Sequence, residues 1–268
     1  MFQENIYNTI KAELKNLTNI TYLTLTSRCN ESIKIALEIA KKKGKTRCVI
    51  PKEGGWITYK QFAEELGFIV VFLETTDCAI DLDTLENTVD SESFLIMHSL
   101  SGYFYKQPMK KIHALCQSKN AILVNDCSGS VSFFDLLHGD IFVCSFGKWK
   151  ALNHGVGGFI GTRDSPLFYK YINRKDVEFE RPEDMLQCIA RVGKRVAAIN
   201  EKSQAVIKDL QELNPLQQNE DATLVVIVPE KEAIIDYCTQ NALEFVECPR
   251  EIRVLRPAVS IEIKRLPL

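Results

Sequence analysis

Two lysines, Lys148 and Lys150, stand in the stretch SFGKWKALNHGVGGFIGT, between an apolar run and a glycine-rich return. A lysine is a surface residue by default. Here both flanks are apolar, and GVGG keeps the backbone close to whatever it faces. Asp126 closes another apolar run, AILVND. A carboxylate ending a buried strand is costly unless it is paired or hydrogen-bonded. Two roles suit it, and the residues alone give them equal weight. It can cap the segment that follows, or hold a pyridine nitrogen protonated so that the ring accepts electrons from a carbanion. A lysine at the carboxyl edge of a sheet, with a carboxylate one strand away, is the arrangement that Schiff-base chemistry requires.

The elements that must position these groups alternate along the chain. Apolar runs at 20–25, 48–51, 68–73, 93–98, 121–126, 140–146 and 157–162 read as strands. Between them, or ahead of the first, helical patterns occupy 2–17, 31–44, 59–67, 82–89, 109–120 and 133–139. The alternation predicts an α/β fold with a seven-stranded, mostly parallel sheet and helices on both faces. Ligands of such sheets bind beyond the carboxyl ends of the strands. Polar residues collect there: Arg28, Cys29 and Asn30 after the first strand, His98 and Ser99 after the fourth, Asp126 after the fifth, Ser145 near the end of the sixth. Past about residue 165 the texture changes. A helical tract at 182–213 leads to a tail with strands at 223–229, 243–248 and 252–263 and a helix at 230–242. The organisation expected is a large domain, 1–165, and a small α+β domain, 166–268, with 215–221 as a flexible loop.

Composition narrows the function classes. The 268 residues carry 33 Lys+Arg against 35 Asp+Glu, a net charge of −2, which removes the electrostatic case for nucleic acid or an anionic membrane as partner. No apolar run reaches the length of a membrane span, and the opening MFQENIYNTIKAELK is too polar for a secretory signal. The nine cysteines are scattered, with no C-x-x-C, and the four histidines are dispersed, so neither a disulfide framework nor a zinc site is expected. The chain reads as cytoplasmic.

Taken together, these residues resemble the DegT/DnrJ-type aminotransferases, a family with the fold-type-I pyridoxal 5'-phosphate (PLP) architecture. Ser145, Phe146, Lys150, Leu152, Gly155, Gly157 and Gly158 fall in the register of the family's cofactor-lysine motif, which selects Lys150 over Lys148. Asp126 is similar to the family's strand-ending aspartate, and His98 and Gly102 match loosely its HxxG passage. PKEGGW resembles the loop whose aromatic stacks on the cofactor ring, which implicates Trp56. By the same resemblance Ser145 binds the phosphate, together with the start of the next helix. The family has Ser-Gly-Thr there and this chain has Ser27, Arg28, Cys29 and Asn30, which implicates Cys29 and Asn30. Where the family carries Gln or His near the cofactor hydroxyl, this chain has Gly129, with Ser128 or Ser130 as substitutes. Arg256, ahead of Arg253 and Arg265, is the expected carboxylate clamp, since arginine offers a bidentate fork.

The resemblance implies an aminotransferase in which Lys150 forms the internal aldimine and then moves the substrate's α-proton. Its partners would be a small-molecule amino donor and a keto acceptor, and its assembly a homodimer. Other fold-type-I chemistries, a lyase or desulfurase, and a non-catalytic binding protein on the same fold are the alternatives. The chain is shorter than typical members, mainly in its carboxyl-terminal domain.

Overall fold

The computed structural model describes residues 2–216 and 222–268, so most of the loop expected at 215–221 lies outside the described residues. All seven expected strands form: β1 (Tyr22–Thr26), β2 (Arg47–Pro51), β3 (Ile69–Leu73), β4 (Ser93–His98), β5 (Ile122–Asp126), β6 (Ile141–Ser145) and β7 (Gly158–Thr162). They make one sheet in the order β1-β7-β6-β5-β4-β2-β3. Neighbours are parallel from β6 to β3, and β7 alone runs antiparallel, to both β1 and β6.

The continuous apolar runs follow from burial on both faces. Phe94 and Ile96 of β4 face one hydrophobic cluster, while Leu95 and Met97 face the other. The first cluster is closed by α2 (Cys29–Lys42) and α3 (Thr58–Glu65), through Ile33, Leu37, Tyr59 and Phe62. The second is closed by α1 (Phe2–Thr18), by α5 (Met109–Ser118), and by residues of the carboxyl-terminal part; α4 (Leu82–Thr88) contributes Leu85. Both faces of the central strands are therefore largely apolar, and polar groups collect at the strand ends.

After β7 the chain runs back along β1. Thr24 Oγ1 donates to the Ile172 carbonyl (3.0 Å), and the Val177 amide donates to the Leu25 carbonyl (3.2 Å). The long helix α6 (Pro182–Asp209) then packs against α1. A small antiparallel sheet follows, β8 (Val226–Val228), β9 (Phe245–Cys248) and β10 (Ala258–Ile261), in the order β8-β10-β9, with α7 (Glu232–Gln240) beside it.

Three expected elements are shorter than their patterns. The helix at 133–139 is one tight turn, Phe134–Leu136, because the Asn125 side-chain amide draws in the Leu136 and His138 carbonyls (2.8 and 2.9 Å). The strand at 252–263 keeps only Ala258–Ile261, because the Arg253 amide closes a turn on the Arg250 carbonyl (2.9 Å). The strand at 223–229 keeps only Val226–Val228.

Candidate active site

The carboxyl ends of β1, β4, β5 and β6 open into one pocket. It is lined by Arg28, Cys29, Asn30, Trp56, His98, Asp126, Ser128, Ser145 and Lys150, with glycines 147, 155 and 157 and Val156. Every candidate cofactor residue from the sequence is on its wall except Ser130, which is buried against the Ser99 hydroxyl (2.5 Å). Arg256 is not on it either: its half-exposed side chain pairs with Asp77 (3.1 Å) on the surface. Arg265 pairs with Glu244 (2.7 Å), and Arg253 turns inward onto Glu262.

Asp126 is buried and fully engaged. Oδ2 accepts the Tyr59 hydroxyl (2.6 Å), and Oδ1 accepts both the amide (3.0 Å) and the hydroxyl (2.6 Å) of Ser128. The Ser128 hydroxyl in turn accepts the Ser145 amide (2.9 Å), tying β5 to β6. Burial, reinforced by Asp126, pushes the Tyr59 phenol well above its ordinary pKa, so it stays a donor to the carboxylate. His98 donates from Nδ1 to the Leu100 carbonyl (3.0 Å), since a carbonyl can only accept. Burial lowers the His98 pKa against the pull of Asp126, which leaves a neutral ring with Nε2 3.7 Å from Oδ1. The Asp126 charge is thus held by hydrogen bonds rather than by a cation in direct contact.

Lys150 is held between two rings. Its Nζ lies 4.8 Å from the Trp56 ring centre and 4.9 Å from that of Tyr103, and it donates to the Tyr103 hydroxyl. Burial opposes its charge, but Tyr103 and Asp126 outweigh that, and the pKa sits above its ordinary value. Lys148 turns instead to its neighbour Trp149, 5.2 Å from that ring centre. The Trp56 indole is oriented by a hydrogen bond from Nε1 to Asn30 Oδ1 (3.1 Å).

At the other end of the pocket α2 begins without a side-chain cap. Its first N–H groups, at Cys29 and Asn30, suit an anion. The glycine-rich return explains itself here. A Cβ on Gly158 would fall 2.5 Å from the Cys144 carbonyl oxygen and 3.0 Å from the Cys29 nitrogen. Only glycine lets β7 pass so close to the start of α2. Cys29 stays a thiol, its pKa raised by burial and by Asp126.

Four residues of this region were missed in the sequence, Tyr59, Tyr103, Glu262 and Lys264, and Arg253 was weighed only as a substrate clamp. Arg253 reaches both Glu262 oxygens at 2.8 Å, and Lys264 Nζ reaches Oε2 at 2.8 Å. All three are buried, and both cations lie about 5 Å from the Tyr103 ring centre, at 5.1 and 5.0 Å.

An amine, a carboxylate one strand away, an indole face and an uncapped helix start form the donor set that a phosphorylated pyridine aldehyde requires. The residues fit that group: Asp126 Oδ2, with one hydrogen bond, keeps a free lone pair, and Cys29, Asn30 and Ser145 line the same pocket where a phosphate would need donors. The sheet is that of the fold-type-I PLP-dependent enzymes. The family comparison makes this specific: residues 5–207 match the model of the DegT/DnrJ/EryC1/StrS aminotransferase family, and the chain belongs to that family. Among solved structures it is similar to a 3-amino-5-hydroxybenzoic acid synthase (TM-score 0.77, 13% identity, 97% of this chain and 85% of that one). It is also similar to a DegT DnrJ EryC1 StrS aminotransferase from Brucella abortus (0.78, 11%, 96% and 84%) and to a cysteine desulfurase from Thermococcus onnurineus NA1 (0.74, 12%, 97% and 79%). No curated protein matches significantly. Among the described residues no helix is long and apolar enough to cross a membrane.

Proposed function

We propose that this chain transfers an amino group from an amino acid to a keto or keto-sugar acceptor, with Lys150 as the residue that attaches PLP. The observation that carries the reading is the half-buried Lys150 amine and the buried Asp126 carboxylate lining one pocket, with the Trp56 ring 4.8 Å from the amine. Bound there, PLP supplies an electrophilic carbon for the amine and a ring that takes up electrons from the substrate. The protein's residues do the rest. Asp126 holds the ring nitrogen protonated, and Tyr59 and Ser128 hold Asp126. Trp56 covers the ring face, and Ser145 with the amides of Cys29 and Asn30 holds the phosphate. Lys150 Nζ accepts the proton released from the substrate's α-carbon and delivers it back.

Lys150→Ala abolishes the attachment that borohydride fixes, while Lys148→Ala leaves it intact. Peptide mapping that finds the adduct on Lys148 would sink the assignment. A desulfurase needs an exposed nucleophilic thiol; of the nine cysteines, eight are buried and Cys188 lies partly covered on α6, which favours the aminotransferase. Nine free thiols also suit a reducing cytoplasm. We further propose a two-fold homodimer: Val156 on the pocket wall and Ile57 beside Trp56 are 48% and 59% exposed, an apolar rim suited to a second copy.

A further inference from the structure

Lys150 has a partner that the reading above leaves without a task. Tyr103 is buried, and its hydroxyl bonds Lys150 Nζ. Its backbone has φ of +68°, a region that an aromatic residue occupies only where its surroundings impose it. Three contacts do so. The Tyr103 carbonyl accepts the Leu224 amide (3.0 Å), which ties the turn to the small sheet's side of the molecule. The His98 ring packs at 4.9 Å. And Gly129 makes room, since a Cβ there would fall 2.9 Å from Tyr103 Cδ1 and 3.2 Å from His98 Cε1.

Three cations crowd this hydroxyl. Lys150, Arg253 and Lys264 all lie within about 5 Å of the Tyr103 ring centre, at 4.9, 5.1 and 5.0 Å. Arg253 and Lys264 share the buried Glu262 carboxylate, and buried Glu53 accepts the Cys78 and Leu255 amides beside Arg253, while His98 is neutral and Tyr59 keeps its proton. The group that Lys150 bonds is the Tyr103 hydroxyl. A phenolate there would give the ammonium a counter-charge in direct contact. The pair is then either ammonium and phenolate or amine and phenol. Both forms carry the same net charge, so a proton crosses between them without charge entering or leaving the pocket.

We propose that Tyr103 is the proton partner of Lys150. The Lys150 N–H bond breaks with its electron pair left on nitrogen, an O–H bond forms on Tyr103, and the amine becomes a nucleophile. The proton returns by the reverse path when Lys150 is charged again. Arg253 and Lys264 act through the ring as positioning residues. The purpose of the transfer rests on the proposed function; the coupling itself does not.

The test therefore uses the full chain without cofactor. Lysines are reductively methylated with formaldehyde across pH 7–11.5 and read by peptide mass spectrometry, with Lys148 as internal reference. Tyr103→Phe keeps the ring and removes the oxygen. Burial lowers the Lys150 pKa and Tyr103 raises it, so the variant's half-labelling pH for Lys150 falls while that of Lys148 stays. Gly129→Ala, which displaces the ring but keeps the hydroxyl, shifts Lys150 the same way and serves if the Phe variant fails to fold. PLP uptake by the wild-type chain is followed separately, as the readout of the proposed function. An unchanged Lys150 profile in both variants overturns the proposal, whatever the cofactor does. A shifted profile in a chain that takes up no PLP upholds the coupling and overturns the proposed function instead.

Discussion

Lys264→Met is expected to stabilise this protein, and to do so in a pH-dependent way. Lys264 is 6% exposed, and burial, against the pull of Glu262, lowers its pKa from an ordinary 10.5 to about 8. The unfolded chain therefore holds this proton up to about pH 10.5, while the folded chain releases it from about pH 8. Stability rises with pH wherever the unfolded state binds more protons, so the wild type gains stability across that window. The gap corresponds to about 3 kcal/mol, and below pH 8 the folded state bears all of it. Methionine fills a similar volume without charge, so Lys264→Met is more stable than wild type at pH 7 by up to about 3 kcal/mol. At about 2–4 °C per kcal/mol that is a rise of roughly 6–12 °C in Tm. The assay is urea unfolding of both proteins at pH 7, 9 and 10. The difference between them should shrink as pH rises, since Glu262 keeps both Arg253 contacts in the variant. Glu262→Gln moves the other way. Burial works against this carboxylate, yet Arg253 and Lys264 hold its pKa at about 2 instead of 4.5. That stability is present above about pH 4.5 and lost as pH falls toward 2. The variant lacks it, and is about 3 kcal/mol less stable at pH 7. A Lys264→Met advantage that stays constant from pH 7 to 10, or a variant weaker than wild type at pH 7, refutes the reasoning.

Two further outcomes follow from packing. Gly129→Ala should cost roughly 1–3 kcal/mol in urea unfolding, because the Tyr103 ring 2.9 Å from the new Cβ is itself held on three sides; a neutral substitution would mean that the ring moves freely. Light scattering should find two copies per particle, and Val156→Lys together with Ile57→Lys should shift the population toward one; a wild-type monomer would end the homodimer proposal.

The sheet was legible because both faces of its central strands are largely apolar. Each strand is a short apolar run bounded by residues that cannot continue it, and alternation with helices leaves few ways to join such runs. Where one residue must turn out of its pattern, legibility fails. IRVLRPAVSIEI reads as a single strand, but Arg253 folds inward to meet Glu262 nine residues later. Nothing in local periodicity reveals that an arginine has a buried partner, so the turn that carries it there was invisible. The same blindness made Arg256 the preferred clamp, although it ends on the surface with Asp77.

The site divides along the same physical line. Lys150, Asp126, Ser145, His98 and Cys29 stand at or just past strand ends, and backbone topology alone brings strand ends together. Tyr59 and Tyr103 act through the length of their side chains. The Tyr59 ring is ordinary core of α3 up to the oxygen that reaches Asp126, so its helix reads only as amphipathic. Gly129 shows what this means for reading departures from a family pattern. In the sequence it is the place where a glutamine or histidine is missing, which counts against a working site. In the structure that volume is filled by a ring from another loop, whose hydroxyl reaches the lysine. The glycine and the ring, 26 positions apart, are then a single feature of the site, and the weight of the glycine as evidence turns on whether Tyr103 and Lys150 share a proton.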